Sequence, residues 1–346
     1  MNSNISAEKQ FYFQWHFLNS CNLRCKHCYQ SGYSAADLDL EKLFKIADEI
    51  FAVLKQWGMH GRISLTGGEP FCSKHLHALF DYLDKNERIV SIDILTNGTC
   101  VTDDDIQRLK KYKKLHQIQI SLDGGTAEIH DAVRGNGSYD KAIDTIRRLK
   151  SNGIEVALMY TLMQQNKYDY KNFIYTAERE KVDALTVERV TPCGSGSDQE
   201  LLSADEIYEI YKNITLMANG MSEKPVIRRA RPLWINTLCD NTRSDCMIGG
   251  FCPVGLTSLA ILHDGTVLPC RRLEIPLGNI LTDGLYKIWY TSDVLWDIRN
   301  KSKLKGKCHD CVKLACCGGC RAIAYAVTED YMEEDPQCWM EKASLS

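Results

Sequence analysis

Residues 11–29 read FYFQWHFLNSCNLRCKHCY, an apolar run followed by three cysteines at C-x3-C-x2-C spacing. The cysteines are Cys21, Cys25 and Cys28. Structural metal sites are usually closed by four ligands, so three thiols on one short loop are one ligand short. If the metal is zinc, His16 or His27 could supply the fourth ligand. If it is a [4Fe–4S] cluster, the three thiolates leave one iron open, as catalytic metal sites require.

The first two-thirds of the chain alternates strand-like and helix-like segments. Strand-like segments are rich in β-branched and aromatic residues, whereas helix-like segments repeat apolar residues every three to four positions. The predicted strands cover residues 11–17, 62–68, 91–98, 117–124, 156–163 and 184–192, and the predicted helices 38–58, 75–83, 103–112, 139–153, 170–180 and 203–220. Six successive βα units predict a parallel sheet with helices outside. Because a closed TIM barrel has eight units, the sequence predicts an α/β fold with a partial (β/α)6 TIM-like barrel.

Unusual polar and cysteine-rich motifs follow five of the six predicted strands. They are CNLRCKHC after the first strand, TGGEP after the second, TNG after the third, SLDGG after the fourth and VTPCG after the sixth. Parallel α/β folds build their active sites at the carboxyl ends of their strands. Turns alone would explain the glycines but not the Glu, Asn, Asp and Cys beside them. These motifs therefore predict a functional site at this face.

The alternation stops beyond Gly220, and the sequence changes character. Residues 258–270, SLAILHDGTVLPC, predict a hairpin that turns at Asp264 and Gly265. A short helix is expected around 283–298, followed by CHDCVKLACCGGC, which is too dense in Cys and Gly for a regular element. We therefore predict three parts: a barrel over 1–220, a linker over 221–245 and a cysteine-rich domain over 246–346.

Composition restricts the class of protein. The chain has 346 residues, a formal net charge of −3 and no Lys/Arg tract, which argues against nucleic-acid binding by bulk electrostatics. No apolar stretch approaches the ~20 residues that cross a bilayer, and the polar N-terminus lacks a secretory signal. A cytoplasmic location with no membrane association is expected. The 16 cysteines cluster near the two ends of the chain, which favours ligation of metals or iron–sulfur clusters over disulfides.

CNLRCKHCY together with TGGEP resembles the radical S-adenosylmethionine (SAM) superfamily, over nearly the whole chain. The resemblance implies that Cys21, Cys25 and Cys28 carry a [4Fe–4S] cluster whose open iron SAM chelates through its amino and carboxylate groups. It implies that Gly67, Gly68 and Glu69 hold the SAM amino group. It assigns further cofactor-lining positions to Asn97, Ser121, Asp123 and Arg134, with Arg134 meeting the carboxylate or ribose and His27 lying beside the adenine.

The chemistry that this resemblance implies is reductive cleavage of SAM to methionine and a 5′-deoxyadenosyl radical, which abstracts a substrate hydrogen. The hard chemistry belongs to the cofactor, and the barrel supplies positioning and exclusion of water. An electron donor such as a flavodoxin or a ferredoxin is expected as a partner. No acid/base residue can be identified from the sequence.

The C-terminal cysteines resemble the SPASM extension of peptide-modifying radical SAM enzymes, which implies two further [4Fe–4S] clusters and three in total. The family pattern assigns Cys246, Cys252, Cys270 and Cys320 to one auxiliary cluster and Cys308, Cys311, Cys316 and Cys338 to the other. One spacing departs from the family, because four residues rather than five separate Cys311 from Cys316. Cys317 would restore five, but the GGCR that follows favours Cys316.

Five cysteines then remain unassigned: Cys72, Cys100, Cys193, Cys239 and Cys317. A free cysteine is more often a small buried hydrophobe than a catalyst. Cys193 is the exception that we expect, because it ends the sixth predicted strand near the substrate.

The resemblance implies an enzyme that modifies a ribosomally made precursor peptide by thioether or carbon–carbon crosslinking or by epimerisation. Only about ten residues precede the first strand, so a separate peptide-recognition protein is an expected partner. Formylglycine maturation of sulfatases is an alternative, although Arg271 and Arg272 follow Cys270 where that group has Cys-Asp-Phe. Haem or other cofactor biosynthesis is a second alternative. A non-enzymatic iron–sulfur electron carrier or zinc module would not need the strand-end motifs.

Overall fold

The computed structural model describes residues 9–33, 37–221, 225–227, 232–234 and 252–340. Within these ranges the six predicted βα units are present. The strands are β1 Gln10–Leu18, β2 His60–Gly67, β3 Ile89–Thr96, β4 Leu115–Ser121, β5 Val156–Leu162 and β6 Ala184–Arg189. The helices around them are α1 Leu40–Trp57, α2 Leu76–Lys85, α3 Asp103–Leu109, α4 Ala127–Arg134, α5 Ser138–Ser151, α6 Tyr170–Arg179 and α7 Ala204–Gly220. No helix in the described ranges is long and apolar enough to span a membrane.

Side-chain caps define where several of these helices begin. The Asp39 side chain accepts a hydrogen bond from the backbone of Lys42 at the start of α1. Thr102 and Asp105 form a reciprocal capping box at α3, and Ser203 and Glu206 form another at α7. These caps satisfy backbone N–H groups that have no partner within the helix.

One parallel sheet runs through the barrel and continues into the C-terminal part of the chain. The strand order is β10-β9-β8-β1-β2-β3-β4-β5-β6-β7, where β7 is the two-residue strand Val226–Ile227, β8 is Ser258–Ile261, β9 is Thr266–Leu268 and β10 is Gly278–Asn279. Strand β8 pairs with β1 in parallel, and β8 and β9 form the predicted antiparallel hairpin. The predicted partial barrel is therefore confirmed, and the hairpin extends its sheet.

The prediction of a single helix around residues 283–298 is wrong. This segment forms two short helices, α9 Leu285–Thr291 and α10 Asp293–Arg299, and the one-turn helix α8 Ile280–Asp283 precedes them. The first break is at Gly284, which has φ +74°, a conformation that L-residues rarely adopt. The second is at Ser292, whose hydroxyl caps α10 by accepting from the backbone of Leu295. Helix α11, Arg321–Thr328, follows the dense cysteine segment.

Helix α4 was not predicted, because its eight residues are too few for a clear apolar period. Thr126 caps its start by accepting from the backbone of Ile129. Gly135, with φ +117°, follows its last residue. The helix places Arg134 at the inner end, facing the strand-end motifs.

Candidate active site

A single cavity of about 690 Å³ occupies the interior of the barrel and opens towards the C-terminal cysteines. Its wall contains thiols from both ends of the sequence. They are Cys21, Cys25, Cys28, Cys193, Cys252, Cys270 and Cys320. It also contains predicted SAM-binding residues from four strand ends, namely His27, Gly67, Gly68, Asn97, Ser121 and Arg134. The topology thus brings together the two groups of cysteines that the sequence keeps more than 200 residues apart.

Backbone packing against the TGG motif holds the N-terminal cysteine loop. The amide of Gly68 donates to the carbonyl of Leu18 at 3.0 Å, and that of Glu69 to the carbonyl of Ser20 at 2.9 Å. A Cβ atom on Gly68 would lie 1.8 Å from the Ser20 oxygen, so a larger residue would push the loop away. The resemblance assigns these glycines to the SAM amino group, and the close approach seen here is to the cysteine loop itself.

Glu69 is fully buried, and its carboxylate bridges two strand ends. It accepts from the Thr96 hydroxyl at 2.6 Å, from the Asn97 amide at 2.8 Å and from the Phe71 amide at 3.1 Å. Burial raises the pKa of the Glu69 carboxyl, and these donors offset part of that rise. The protein therefore already supplies three donors to the carboxylate that the family pattern assigns to the SAM amino group.

Asp123, Arg134 and His27 form a buried polar cluster at the ends of β4 and α4. Arg134 Nε donates to Asp123 Oδ2 at 2.6 Å, and His27 Nε2 lies 3.4 Å from Arg134 Nη2 and 3.3 Å from Asp123 Oδ2. Burial alone would raise the pKa of Asp123, but the charge of Arg134 holds it below its usual value. Burial lowers the pKa of His27 to about 4, so this imidazole is neutral at pH 7. His27 Nδ1 is buried and, within the described part of the chain, has no hydrogen-bond partner.

Two further predicted residues complete this side of the cavity. Asn97 donates from Nδ2 to Asn22 Oδ1 at 2.9 Å, which ties the end of β3 to the cysteine loop. Its Oδ1 accepts from the backbone and hydroxyl of Thr99. Ser121, the last residue of β4, lines the cavity wall and is partly exposed to it.

The thiols of the N-terminal loop have the surroundings that iron–sulfur ligands need. The amides of Leu23 and Gln30 donate to the sulfurs of Cys21 and Cys28, each at 3.4 Å. Arg134 Nη1 lies 3.7 Å from the Cys25 sulfur. Such N–H donors stabilise thiolates and tune cluster potentials. Burial raises the pKa of the Cys25 thiol to about 11, so binding iron as a thiolate would release a proton.

Three of the four cysteines assigned to the first auxiliary cluster line the same cavity: Cys252, Cys270 and Cys320. Arg272 lies close to two of them, because the charges of Cys270 and Cys320 both act on its guanidinium. The fourth predicted ligand, Cys246, and the unassigned Cys239 lie outside the described residues.

In the second auxiliary group, the structure buries Cys317 more deeply than Cys316, the ligand that the sequence favoured. Cys308, Cys317 and Cys338 are all buried, with 7–8% of each residue exposed, whereas Cys316 is only partly buried. The Cys317 thiol is also close enough to Cys308 and Cys338 to affect the pKa of both thiols. The Gly319 amide donates to the Cys317 sulfur at 3.4 Å, as the Lys313 amide does to Cys311.

Two buried ion pairs that the sequence did not reveal connect β6 to the C-terminal segments. Arg189 forms a two-pronged bond to Asp335, with N–O distances of 2.9 and 2.8 Å. Arg272 Nη2 lies 2.6 Å from Glu188 Oε2. The only sequence signal for these ion pairs is the Arg-Arg pair after Cys270, which departs from the sulfatase pattern.

Cys193 lies at the cavity wall, as expected for the residue that follows β6. Burial raises the pKa of its thiol to about 11, so it is protonated at pH 7. It is half-buried and is close enough to Cys270 for the two thiols to interact electrostatically.

Comparison with known proteins agrees with this arrangement. A model of the radical SAM superfamily matches residues 15–175, and a model of the SPASM iron–sulfur cluster-binding domain matches residues 252–312. The AdoMet-dependent heme synthase of Nitratidesulfovibrio vulgaris is 30% identical over 94% of this chain and 90% of its own length. The mycofactocin maturase MftC of Mycobacterium tuberculosis is 27% identical over 94% of this chain and 81% of its own.

The fold and the cysteine-lined cavity are those of a SAM-dependent iron–sulfur enzyme, and the chain belongs to the radical SAM superfamily. It carries the SPASM domain that the C-terminal cysteines predicted. The structure of Streptococcus suis SuiB bound to precursor peptide SuiA has the same fold, with a TM-score of 0.77 and 17% identity, over 96% of this chain and 76% of SuiB. Family membership implies iron–sulfur clusters and SAM binding, as the sequence predicted.

Proposed function

We propose that this radical SAM enzyme modifies a ribosomally made peptide by crosslinking or epimerisation. The observation that carries the proposal is the shared cavity, whose wall contains Cys21, Cys25 and Cys28 at one end and Cys252, Cys270 and Cys320 at the other. A substrate in this cavity would lie between the radical-generating site and the first auxiliary cluster. An auxiliary cluster there can exchange an electron with a substrate radical.

The proposed ligands fall into three sets. They are Cys21, Cys25 and Cys28; Cys246, Cys252, Cys270 and Cys320; and Cys308, Cys311, Cys317 and Cys338. The sulfurs fit [4Fe–4S] clusters, because backbone amides donate to Cys21, Cys28, Cys311 and Cys317. When bound, SAM and the N-terminal cluster supply the 5′-deoxyadenosyl radical, with the electron coming from a flavodoxin or ferredoxin.

The protein's own residues orient the cofactor and keep water away. Neutral His27, which lines the cavity and has an unpartnered Nδ1, would lie beside the adenine. Arg134 holds Asp123 through Nε and faces Cys25 and His27 with one N–H on each terminal nitrogen, so the second N–H of each terminal nitrogen would be left for the carboxylate or ribose. Gly67, Gly68 and Asn97 would form the wall beside the SAM amino group, with Glu69 bracing that wall from behind.

Support for a peptide substrate comes from relatives. MftC is named a maturase of mycofactocin, and AlbA of Bacillus subtilis is named a subtilosin biosynthesis protein. Both polar and apolar side chains form the cavity wall, which suits the binding of a peptide segment. No feature of the described residues selects one peptide sequence, so the recognition of a leader by a separate protein stays part of the proposal.

A second candidate is the conversion of a tetrapyrrole precursor of heme. Three relatives named AdoMet-dependent heme synthase match 94% of the chain, at 30%, 27% and 27% identity. Of the six arginines in the cavity wall, Arg134, Arg189, Arg271 and Arg272 already pair with carboxylates of the protein, whereas Arg62 donates to a serine hydroxyl and Arg321 to backbone carbonyls, so these two could also pair an anionic substrate. Heme precursors bear carboxylates that such residues would pair.

One experiment separates the two candidates. The protein, reconstituted with iron and sulfide under anaerobic conditions, is incubated with SAM and a reductant. One arm contains the short peptide encoded beside the gene, and the other contains iron-bound tetrapyrrole precursors of heme. We expect 5′-deoxyadenosine to form in stoichiometry with a modified peptide, detected by mass loss for a crosslink or by deuterium uptake from D₂O for an epimer, and to form only slowly in the tetrapyrrole arm.

The opposite pattern would replace the peptide proposal with heme biosynthesis. A Cys28→Ala variant is the control, because it removes an N-terminal ligand and should abolish 5′-deoxyadenosine formation in both arms. Formation of 5′-deoxyadenosine by that variant would overturn the assignment of the N-terminal loop itself.

A further inference from the structure

We infer that Cys72 and Cys100 form a reversible disulfide site outside the iron–sulfur machinery. Their sulfurs lie 3.3 Å apart, and neither residue belongs to a proposed cluster set. Closing the bond requires the sulfurs to approach by about 1.3 Å, to the ~2.05 Å of a disulfide. Side-chain rotation alone supplies a movement of that size.

The topology holds the two thiols next to each other. Cys72 ends the short helical turn Pro70–Cys72 that follows β2, and Cys100 follows the TNG turn after β3. Strands β2 and β3 are parallel neighbours, so both segments leave the sheet at the same edge. The Glu69 carboxylate fastens the two segments together, because it accepts from Phe71 on one and from Asn97 on the other.

Solvent can reach this pair. Cys72 is exposed and Cys100 is half-buried, whereas those proposed cluster ligands that lie in the described ranges are half-buried or buried. A dissolved oxidant therefore meets Cys72 first. The Cys100 sulfur then lies within reach, and the second step has the advantage of an intramolecular reaction.

The reaction is a thiol–disulfide exchange with a low-molecular-weight disulfide as the oxidant. Burial and the neighbouring Cys100 thiol raise the pKa of the Cys72 thiol, so the exchange is run at alkaline pH, where the Cys72 thiolate attacks one sulfur of the small disulfide and releases one small thiol. The Cys100 thiolate then attacks the Cys72 sulfur of the mixed disulfide, so the second small thiol leaves and the Cys72–Cys100 bond forms. Two electrons pass from the protein to the small disulfide, and the two thiol protons end on the two released thiols. Excess small thiol reverses both steps.

The bond would join the two segments that carry cavity-lining residues. Gly67 and Gly68 precede Cys72, and Thr96 and Asn97 precede Cys100; all four line the cavity. The disulfide would close a chain loop between residues separated by 28 positions and restrict the separation of these two segments.

Peptide mapping tests this site directly. The reconstituted holoprotein is equilibrated anaerobically with a largely oxidised glutathione buffer, alkylated under denaturing conditions and digested with trypsin. Cleavage after Arg62, Lys74, Arg88 and Arg108 gives peptides 63–74 and 89–108, which contain Cys72 and Cys100 as their only cysteines. We expect these two peptides to be joined in about half or more of the chains, and to separate after dithiothreitol.

Cys193 is the internal standard, because it is half-buried and belongs to no proposed cluster set. Cys193 should be alkylated equally in the oxidised glutathione buffer and in a matched reduced glutathione buffer. The visible absorbance of the clusters should also be unchanged, which shows that the cluster ligands stayed in place. If Cys72 and Cys100 remain fully alkylated in the oxidised buffer, or if Cys72 is found joined to Cys21, the proposal is overturned.

Two variants give a second measurement. Cys72→Ser and Cys100→Ser should each abolish the joined peptide and leave the remaining thiol as a glutathione adduct. Oxidation of the unmodified protein should raise Tm by about 5 °C relative to its reduced form, and neither variant should show this rise. An equal rise in the variants would assign the stabilisation to other thiols and contradict the proposed site.

Discussion

At the residue scale, a backbone amide donates to the sulfur of four of the cysteines proposed as ligands: Cys21, Cys28, Cys311 and Cys317. The Leu23 amide donates to Cys21 and the Gly319 amide donates to Cys317, in each case from two positions further along the chain. This local turn presents an N–H group to a thiolate that also binds iron, and it stabilises the negative charge there. The same geometry at both ends of the chain supports Cys317 as a ligand.

The first prediction follows from that geometry. Cys317→Ala should reduce iron by about four atoms per chain and lower Tm, because it removes a ligand from the group containing Cys308 and Cys338. Cys316→Ala is the matched control and should retain its iron. Iron and sulfide analysis of the two reconstituted variants is the measurement. Iron loss in the Cys316 variant alone would restore the assignment made from the family spacing.

The sequence predicted the residues of the SAM side of the cavity better than their contacts. His27, Asn97 and Arg134 line the cavity as expected, since strand-end motifs share one face of a parallel sheet. Sequence spacing alone could not decide whether Cys316 or Cys317 is the ligand. The two residues are adjacent, and the local turn determines the direction in which each side chain points. Glu69 was expected to face a ligand, and the structure buries it among donors from β3 and the turn after β2.

At the scale of single elements, helix α4 positions Arg134 in the site. Its last residue, Arg134, is buried and contacts Asp123, Cys25 and His27 from different nitrogens. Burial disfavours the charged guanidinium, but Asp123 raises the pKa of Arg134 above its ordinary value. Only a planar guanidinium can serve three partners in this geometry.

The second prediction is that Arg134→Lys destabilises the protein by about 2 kcal/mol, because an ammonium cannot reproduce these contacts in a buried site. It should also weaken SAM binding. Arg108→Lys on α3 is the control, since Arg108 pairs with Asp104 on the exposed surface and should cost less than about 1 kcal/mol. Denaturant unfolding and SAM titration of both variants are the measurements. Equal costs would contradict a special role for Arg134.

The break between α8 and α9 carries the third prediction. A Cβ atom on Gly284 would meet only Glu49 Oε2, at 3.9 Å, so space does not restrict this position, but its φ of +74° does. Gly284→Ala should therefore cost about 1–3 kcal/mol through backbone strain. Gly220→Ala at the end of α7, where space is also open, should be neutral or slightly stabilising. Thermal unfolding compares them; a neutral Gly284 variant would show that the helix break adapts to alanine.

At the scale of the whole molecule, the buried Arg189–Asp335 pair joins the last long barrel strand to the final cysteine segment. Asp335 also accepts from the Cys320 amide at 2.7 Å, so one carboxylate links β6 to an auxiliary ligand. Burial would raise the pKa of Asp335, but Arg189 holds it below its usual value. The two residues lie 146 positions apart, and no local sequence pattern could have predicted their contact.

The fourth prediction is that Asp335→Asn destabilises the protein by about 3–5 kcal/mol, because it leaves the Arg189 guanidinium buried without its counter-charge. Glu41→Gln removes the partner of Lys45 on the exposed face of α1 and should leave the midpoint of unfolding nearly unchanged. Urea unfolding of both variants is the measurement. A small effect at Asp335 would mean that water reaches this interface.

The fifth prediction concerns the number of clusters. Eleven proposed ligands in sets of three, four and four should bind about twelve irons per chain. Replacing Cys21, Cys25 and Cys28 together by alanine should leave about eight irons and abolish SAM cleavage. Iron analysis and detection of 5′-deoxyadenosine are the measurements. Retention of SAM cleavage by this variant would refute the assignment of the N-terminal loop.

The pairing of β8 with β1 has a consequence for the order in which the enzyme is built. Tyr12 and Trp15 of the first strand align with Ser258 and Ile261, about 250 residues later. At ~5–20 residues per second, a ribosome needs about 12–50 s to make the missing neighbour. Until then, one edge of β1 lies open to pairing with other chains. The strand that carries the cysteine loop is therefore synthesised long before β8, the neighbour that completes its pairing. We expect iron to enter that loop only after the chain has left the ribosome.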